Sequence, residues 1–119
     1  MKKTDAVAAL AALAQDNRLD VFRLLVQAGP EGMSAGSVAA ALKLAPNALT
    51  FHFDRLREAG LVTVKREGRS MIYAAQFETM NALLDYLTEN CCGGEPEKCR
   101  PIARKSLRPV RTSKKERAL

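Results

Sequence analysis

The apolar residues of this chain change period at Gly60. Before it they recur at spacings of three and four. After it come two short runs that read as strands, Leu61-Val62-Thr63-Val64-Lys65, rich in β-branched residues, and Met71-Ile72-Tyr73-Ala74-Ala75, joined by Arg66-Glu67-Gly68-Arg69-Ser70. Helical spacing then returns. A chain of 119 residues has room for one core and not for two. The expected architecture is mostly α with a single β-hairpin.

The helices read as follows. Residues 6–13 are alanine-rich, with Val7, Leu10 and Leu13 on related faces and Thr4 or Asp5 as N-cap. Asp16-Asn17 caps a second helix in which Leu19, Phe22, Leu25 and Val26 keep helical spacing until Gly29-Pro30 stops it. A short third helix starts at Ser34 and carries Val38, Ala41 and Leu42 inward. After Leu44-Ala45, Pro46 suits the first position of a fourth, which runs to Gly60. Its stripe of Leu49, Phe53, Leu56 and Ala59 leaves Asn47, Thr50, His52, Asp54, Arg55 and Arg57 toward solvent or a ligand. A last helix over residues 77–90 aligns Phe77, Met80, Leu83, Leu84 and Leu87. Phe22, Phe53 and Tyr73 are expected in the core, and Gly68 serves the hairpin turn.

Three helices, a projecting fourth and a basic-tipped hairpin, in that order, describe a winged helix-turn-helix. A short helix and a tight turn hold the next helix proud of the domain, where its first turns reach a major groove while the hairpin touches neighbouring backbone. In that geometry Asn47 and Thr50 offer neutral groups to base edges, with His52 beside them. Arg55 and Arg57 suit phosphates, and Arg66 and Arg69 suit the groove beside the hairpin. Double-stranded operator DNA is the expected partner. No nucleophile and base pair is visible, so an enzyme is not expected.

Leu56-Arg57-Glu58-Ala59-Gly60-Leu61-Val62, followed by Lys65-Arg66-Glu67-Gly68-Arg69 and Tyr73, resembles the recognition-helix end and wing of the ArsR/SmtB metalloregulatory repressors. Leu13-Ala14-Gln15-Asp16-Asn17-Arg18-Leu19 is similar to their entry into the second helix. The likeness covers residues 6–90. It implies a homodimer built on the first and last helices that releases operator DNA when an inducer binds.

All three cysteines lie within Cys91-Cys92-Gly93-Gly94-Glu95-Pro96-Glu97-Lys98-Cys99. Adjacent Cα atoms are about 3.8 Å apart, too close for an ordinary disulfide, so Cys91 and Cys92 are better placed to face one soft ion. Gly93 and Gly94 allow the chain to reverse and bring Cys99 to the same point. Three thiolates suit Zn²⁺, Cu(I), an iron-sulfur cluster or a trivalent metalloid. Zinc and most clusters ask for four ligands, whereas As(III) and Sb(III) accept a pyramid of three.

The resemblance sharpens the choice. The best-known arsenic sensors of the family carry a Leu-Cys-Val-Cys-Asp motif before the recognition helix, where this chain has Met33-Ser34-Ala35-Gly36-Ser37. The histidines of its zinc and nickel sensors are also absent, since His52 is the chain's one histidine. An arsenic-responsive subgroup with Asn-Cys-Cys-Gly and a later Cys is similar to residues 90–99. It implies As(III), with Sb(III) and methylated arsenic left open, as an inducer held by Cys91, Cys92 and Cys99, and no organic cofactor.

The net charge of +6 is unevenly placed: residues 100–119 carry eight Lys and Arg against one Glu, which leaves residues 1–99 near neutrality at −1. The expected division is a winged-helix and dimerisation domain over residues 1–90, an inducer segment over 91–99 and a flexible basic tail over 100–119, suited to a polyanion. No signal sequence or apolar run long enough for a membrane is seen, so a cytoplasmic protein is expected. Two other readings keep the fold: a redox switch pairing Cys99 with Cys91 or Cys92, and a module that docks an acidic partner through its tail.

Overall fold

Residues 1–95 and 97 are described by the computed structural model. The helices are α1 (Lys3–Leu13), α2 (Asp16–Ala28), α3 (Ala35–Leu42), α4 (Pro46–Glu58) and α5 (Phe77–Leu87). The strands are β1 (Met33–Ser34), β2 (Val62–Glu67) and β3 (Ser70–Ala75). Met1–Leu87 form one compact unit, and a second begins at Thr88. No described helix is long and apolar enough to cross a membrane.

Local chemistry accounts for most of the ends. Gln15, not Asp16 or Asn17, caps α2: its side-chain oxygen accepts from the Arg18 N–H at 2.9 Å, and Asp16 enters the first turn, where the helix dipole favours a carboxylate. Ser34 caps α3 as expected, accepting from the Ser37 N–H at 3.1 Å. Pro46 opens α4, and Gly60, at φ +77°, ends it. α5 stops at Leu87, three residues short of the expected end.

The sheet is antiparallel in the order β1-β3-β2. The strands run further than their apolar residues do. Glu67 pairs with Ser70, so only Gly68 and Arg69 turn the hairpin, and Arg66 sits on β2 opposite Met71, not at the tip. Gly68, at φ +64°, takes the first turn position, as a tight hairpin turn with glycine first requires. The third strand is a difference from the sequence reading: Met33 pairs with Tyr73 and Ser34 with Ile72. Gly32 makes that pairing possible, because a Cβ there would run into the Tyr73 carbonyl oxygen.

The core gathers Val21, Phe22 and Leu25 of α2, Val38 of α3, Leu49, Phe53 and Leu56 of α4, and Leu61 and Val62. In α3, Ala41 is exposed and Ala39 half-buried, the reverse of the expected stripe. The larger difference is in α1, which buries Ala6, Ala9 and Ala12 and turns Val7 and Leu10 outward. Alanine lets α1 lie close against α2, α4 and α5. In α5, Leu83 is buried while Leu84 and Leu87 face out. Val7 (57% exposed), Leu10 (44%), Leu84 (52%) and Leu87 (55%) thus lie uncovered on two helices that touch each other.

Candidate nucleic-acid interface

The buried side of α4 is Leu49, His52, Phe53 and Leu56. At 100° per residue the opposite side is centred on Asn47, Phe51, Asp54 and Glu58, with Thr50 and Arg57 on one flank and Arg55 on the other; all seven are exposed. Six of the seven residues expected at an interface are therefore at the surface: Asn47, Thr50, Arg55 and Arg57 on α4, and Arg66 and Arg69 on the hairpin.

His52 is the correction. It is 6% exposed, its Nδ1 is buried with no hydrogen-bond partner among the described residues, and it faces inward, away from any groove. Loss of hydration and, secondarily, the nearby Arg18 guanidinium push its pKa down. It is a neutral core residue at ordinary pH. The apolar stripe is wider than four residues, and His52 falls inside its edge.

The exposed polar groups are already oriented. The Thr50 hydroxyl donates to the Pro46 carbonyl at 3.0 Å, which leaves its oxygen free to accept. Arg55 pairs with Glu58 at 3.1 Å, Arg57 approaches Asp54 at 4.0 Å, and Lys65 pairs with Glu67 at 3.1 Å. Surface pairs of this kind contribute about 0–1 kcal/mol, so their cations are readily given up to phosphates. Arg66 Nε donates to the Gly68 carbonyl at 3.3 Å, bracing the turn that presents Arg69.

Two residues missed in the sequence complete the surface. Phe51 is 52% exposed, and the guanidinium carbons of Arg55 and Arg18 lie 5.0 and 5.7 Å from its ring centroid. Arg18 Nε and Nη1 are buried without a hydrogen-bond partner among the described residues. The signal for Phe51 was available: it lies four residues after Asn47 and off the apolar stripe.

In the second unit, Cys91–Gly94 form a 3-10 turn. Cys91 is half-buried and Cys92 exposed, and Cys92, Gly93 and Gly94 have φ of 56°, 66° and 83°, a left-handed run that bends the chain back. Glu95 N–H donates to the Cys92 carbonyl at 3.1 Å. Among the described residues no three His, Cys, Asp or Glu side chains group as a metal site needs. Cys99, the third expected ligand, and the basic tail over residues 100–119 lie outside the described residues.

A projecting helix opened by proline, a short helix before it and a two-stranded wing after it define a winged helix-turn-helix regulator. Comparison with known proteins agrees. Residues 13–65 match the family described as "Helix-turn-helix domain". Over 87 residues the chain is 30% identical to the HTH-type transcriptional regulator YgaV of Escherichia coli K12, covering 73% of this chain and 86% of that one. It is 29% identical, also over 87 residues, to the transcriptional activator HlyU of Vibrio cholerae, covering 73% and 78%. The solved HlyU structure superposes with a TM-score of 0.61 over 77% of this chain and 99% of that one. An ArsR-like regulator from Rhodococcus sp. RHA1, 24% identical, superposes with a TM-score of 0.66 over 87% and 93%. The chain belongs to the HTH-type transcriptional regulators, with the winged-helix fold that ArsR-like regulators also have, and is a regulator, not an enzyme.

Proposed function

We propose that this chain is a homodimeric repressor that holds operator DNA in its resting state and releases it when trivalent arsenic binds Cys91, Cys92 and Cys99. Sb(III) shares the same chemistry. The observation that carries the inducer assignment is that every thiol of the chain falls within nine residues, directly after the last helix. The described part of that segment is compatible with convergence, because its left-handed run reverses the backbone immediately after the paired cysteines.

Dimerisation is supported by Val7, Leu10, Leu84 and Leu87, exposed aliphatic residues on two helices in mutual contact. A second copy covering them joins two reading helices, which a two-fold operator meets about 34–36 Å apart. Asn47 and Thr50 then address base edges, Arg55 and Arg57 the phosphates, and Arg66 and Arg69 the backbone beside the wing. Drawing three thiols together constrains the chain that leaves α5, itself part of the dimer surface, and changes the spacing of the reading helices. HlyU is an activator, whereas this chain acts by repression. The thiol segment argues for it: an inducer that lowers DNA affinity switches a gene on by release.

The test is fluorescence anisotropy of a labelled duplex from the protein's own promoter, titrated with As(III). Release from wild type and retention by a Cys91→Ser/Cys92→Ser/Cys99→Ser variant are expected. Binding of wild type that ignores As(III) would remove the inducer assignment.

A further inference from the structure

The outward side of α4 is divided along its length. Its C-terminal half carries Asp54, Arg55, Arg57 and Glu58, paired with one another. Its N-terminal half carries Asn47, Thr50 and Phe51 and no charge. Carboxylates are repelled by phosphates and the N-terminus of a helix is its positive end, so the uncharged half is the part suited to the floor of a groove. Half of Phe51 lies open to water at the inner end of that half, near the middle of the helix, although an exposed aromatic ring contributes nothing to the core.

The ring is also held. Guanidinium groups from two elements, Arg55 of α4 and Arg18 of α2, lie against it at 5.0 and 5.7 Å, and His52 meets it at 5.8 Å between centroids with planes tilted by 60°. These contacts favour one orientation before any partner arrives, so little ordering remains for binding to supply.

We infer that Phe51 reads the C5-methyl group of a thymine in the operator. A neutral apolar ring at the groove floor finds its largest complementary feature among the base edges in the thymine methyl; cytosine offers only a C5–H there, and the remaining groups are hydrogen-bond donors or acceptors that the ring would strand. Asn47, one turn earlier on the same side, suits adenine N6 and N7. The pair therefore selects neighbouring A·T pairs within each half-site. Arg18 positions the ring from α2 without itself touching a base.

This inference rests on the DNA-binding reading above, and one experiment separates them. A duplex selected by wild-type protein from a random library is resynthesised with deoxyuridine replacing each thymine in turn, which removes the methyl alone. Wild type is expected to lose about fourfold in affinity at one symmetric position per half-site, the value of one buried methyl-sized group. Phe51→Ala is expected to bind the parent duplex more weakly and to be indifferent to that replacement, whereas Phe51→Leu retains part of the sensitivity. If no thymine replacement affects wild type, or if Phe51→Ala keeps the same sensitive position, the inference is overturned while DNA binding stands. If wild type selects no duplex at all, both fall.

Discussion

The Phe53 ring lies flat against the Tyr73 ring, with centroids 3.6 Å apart and planes 4° apart. One ring belongs to the reading helix and the other to the central strand of the sheet, so the stack fixes the helix relative to the wing. Phe53→Ala is expected to cost about 3–5 kcal/mol, the usual range for emptying a buried aromatic site. A double-mutant cycle with Tyr73→Ala should return a coupling of about 0.5–1.5 kcal/mol in urea denaturation. A coupling of zero would leave the rings as ordinary apolar filling.

His52 predicts how stability depends on pH. Its folded-state pKa is pushed below the ordinary 6.5, first by burial and then by Arg18. The unfolded chain therefore takes up the proton first. The contribution is complete above about pH 6.5 and is lost as the pH falls through that value toward the lower folded-state pKa. Wild type should lose melting temperature between about pH 7.5 and about pH 5.5, and His52→Leu should flatten the profile there. Equal slopes for the two proteins would assign the dependence to other groups.

Leu84 and Leu87 predict a separation of folding from assembly. Both are exposed, so Leu84→Glu should leave the circular dichroism spectrum of the protomer unchanged while sedimentation shifts from dimer to monomer. A monomer has one reading helix, and its operator affinity should fall by orders of magnitude. A Leu84→Glu protein that remains dimeric would move the interface elsewhere.

The wing predicts a salt signature. Arg69, at the turn held by Gly68 and Arg66, makes no ion pair among the described residues. If it neutralises one phosphate per protomer, Arg69→Ala should weaken binding evenly across sequences and flatten the log-log salt dependence by about 1 per protomer. Asn47→Ala should instead relax sequence preference and leave the salt slope intact.

Thiol ligation predicts a proton count that depends on the ion. Trivalent arsenic in neutral water is As(OH)₃, so three thiols displace three hydroxides that leave as water carrying the thiol protons, As(OH)₃ + 3 RSH → As(SR)₃ + 3 H₂O; calorimetry in buffers of different ionisation enthalpy should count almost no net proton release for As(III), whereas Zn²⁺ bound by the same thiols would release protons. Linkage adds a second check: operator DNA must weaken As(III) binding by the factor by which As(III) weakens operator binding. Equal As(III) affinity with and without operator would rule out coupling between the two sites.

The order of elements was legible in the sequence because many boundaries are written in local chemistry, although α1 starts at Lys3, with Lys2 and not Thr4 or Asp5 as its N-cap. Ser34 caps, Pro46 starts, Gly60 stops, and the switch from helical to alternating period marks the hairpin. The polar face of α4 followed from the same periodicity, as did most of the proposed DNA-facing residues. Tertiary structure decided what lies at the edges of those patterns. Periodicity locates a stripe and not its width, so it could not tell that His52 lies inside the core margin while Phe51, its neighbour, lies outside. In α1 the larger side chains were the natural candidates for burial, yet close helix approach selected Ala6, Ala9 and Ala12 and left Val7 and Leu10 for another surface. The strand Met33–Ser34 is too short to show a period, and exists because Gly32 lets the backbone reach Tyr73. Local signals specify roughly where most elements begin and end; which side chains are covered depends on what packs against them, and that is settled by residues far away in the chain.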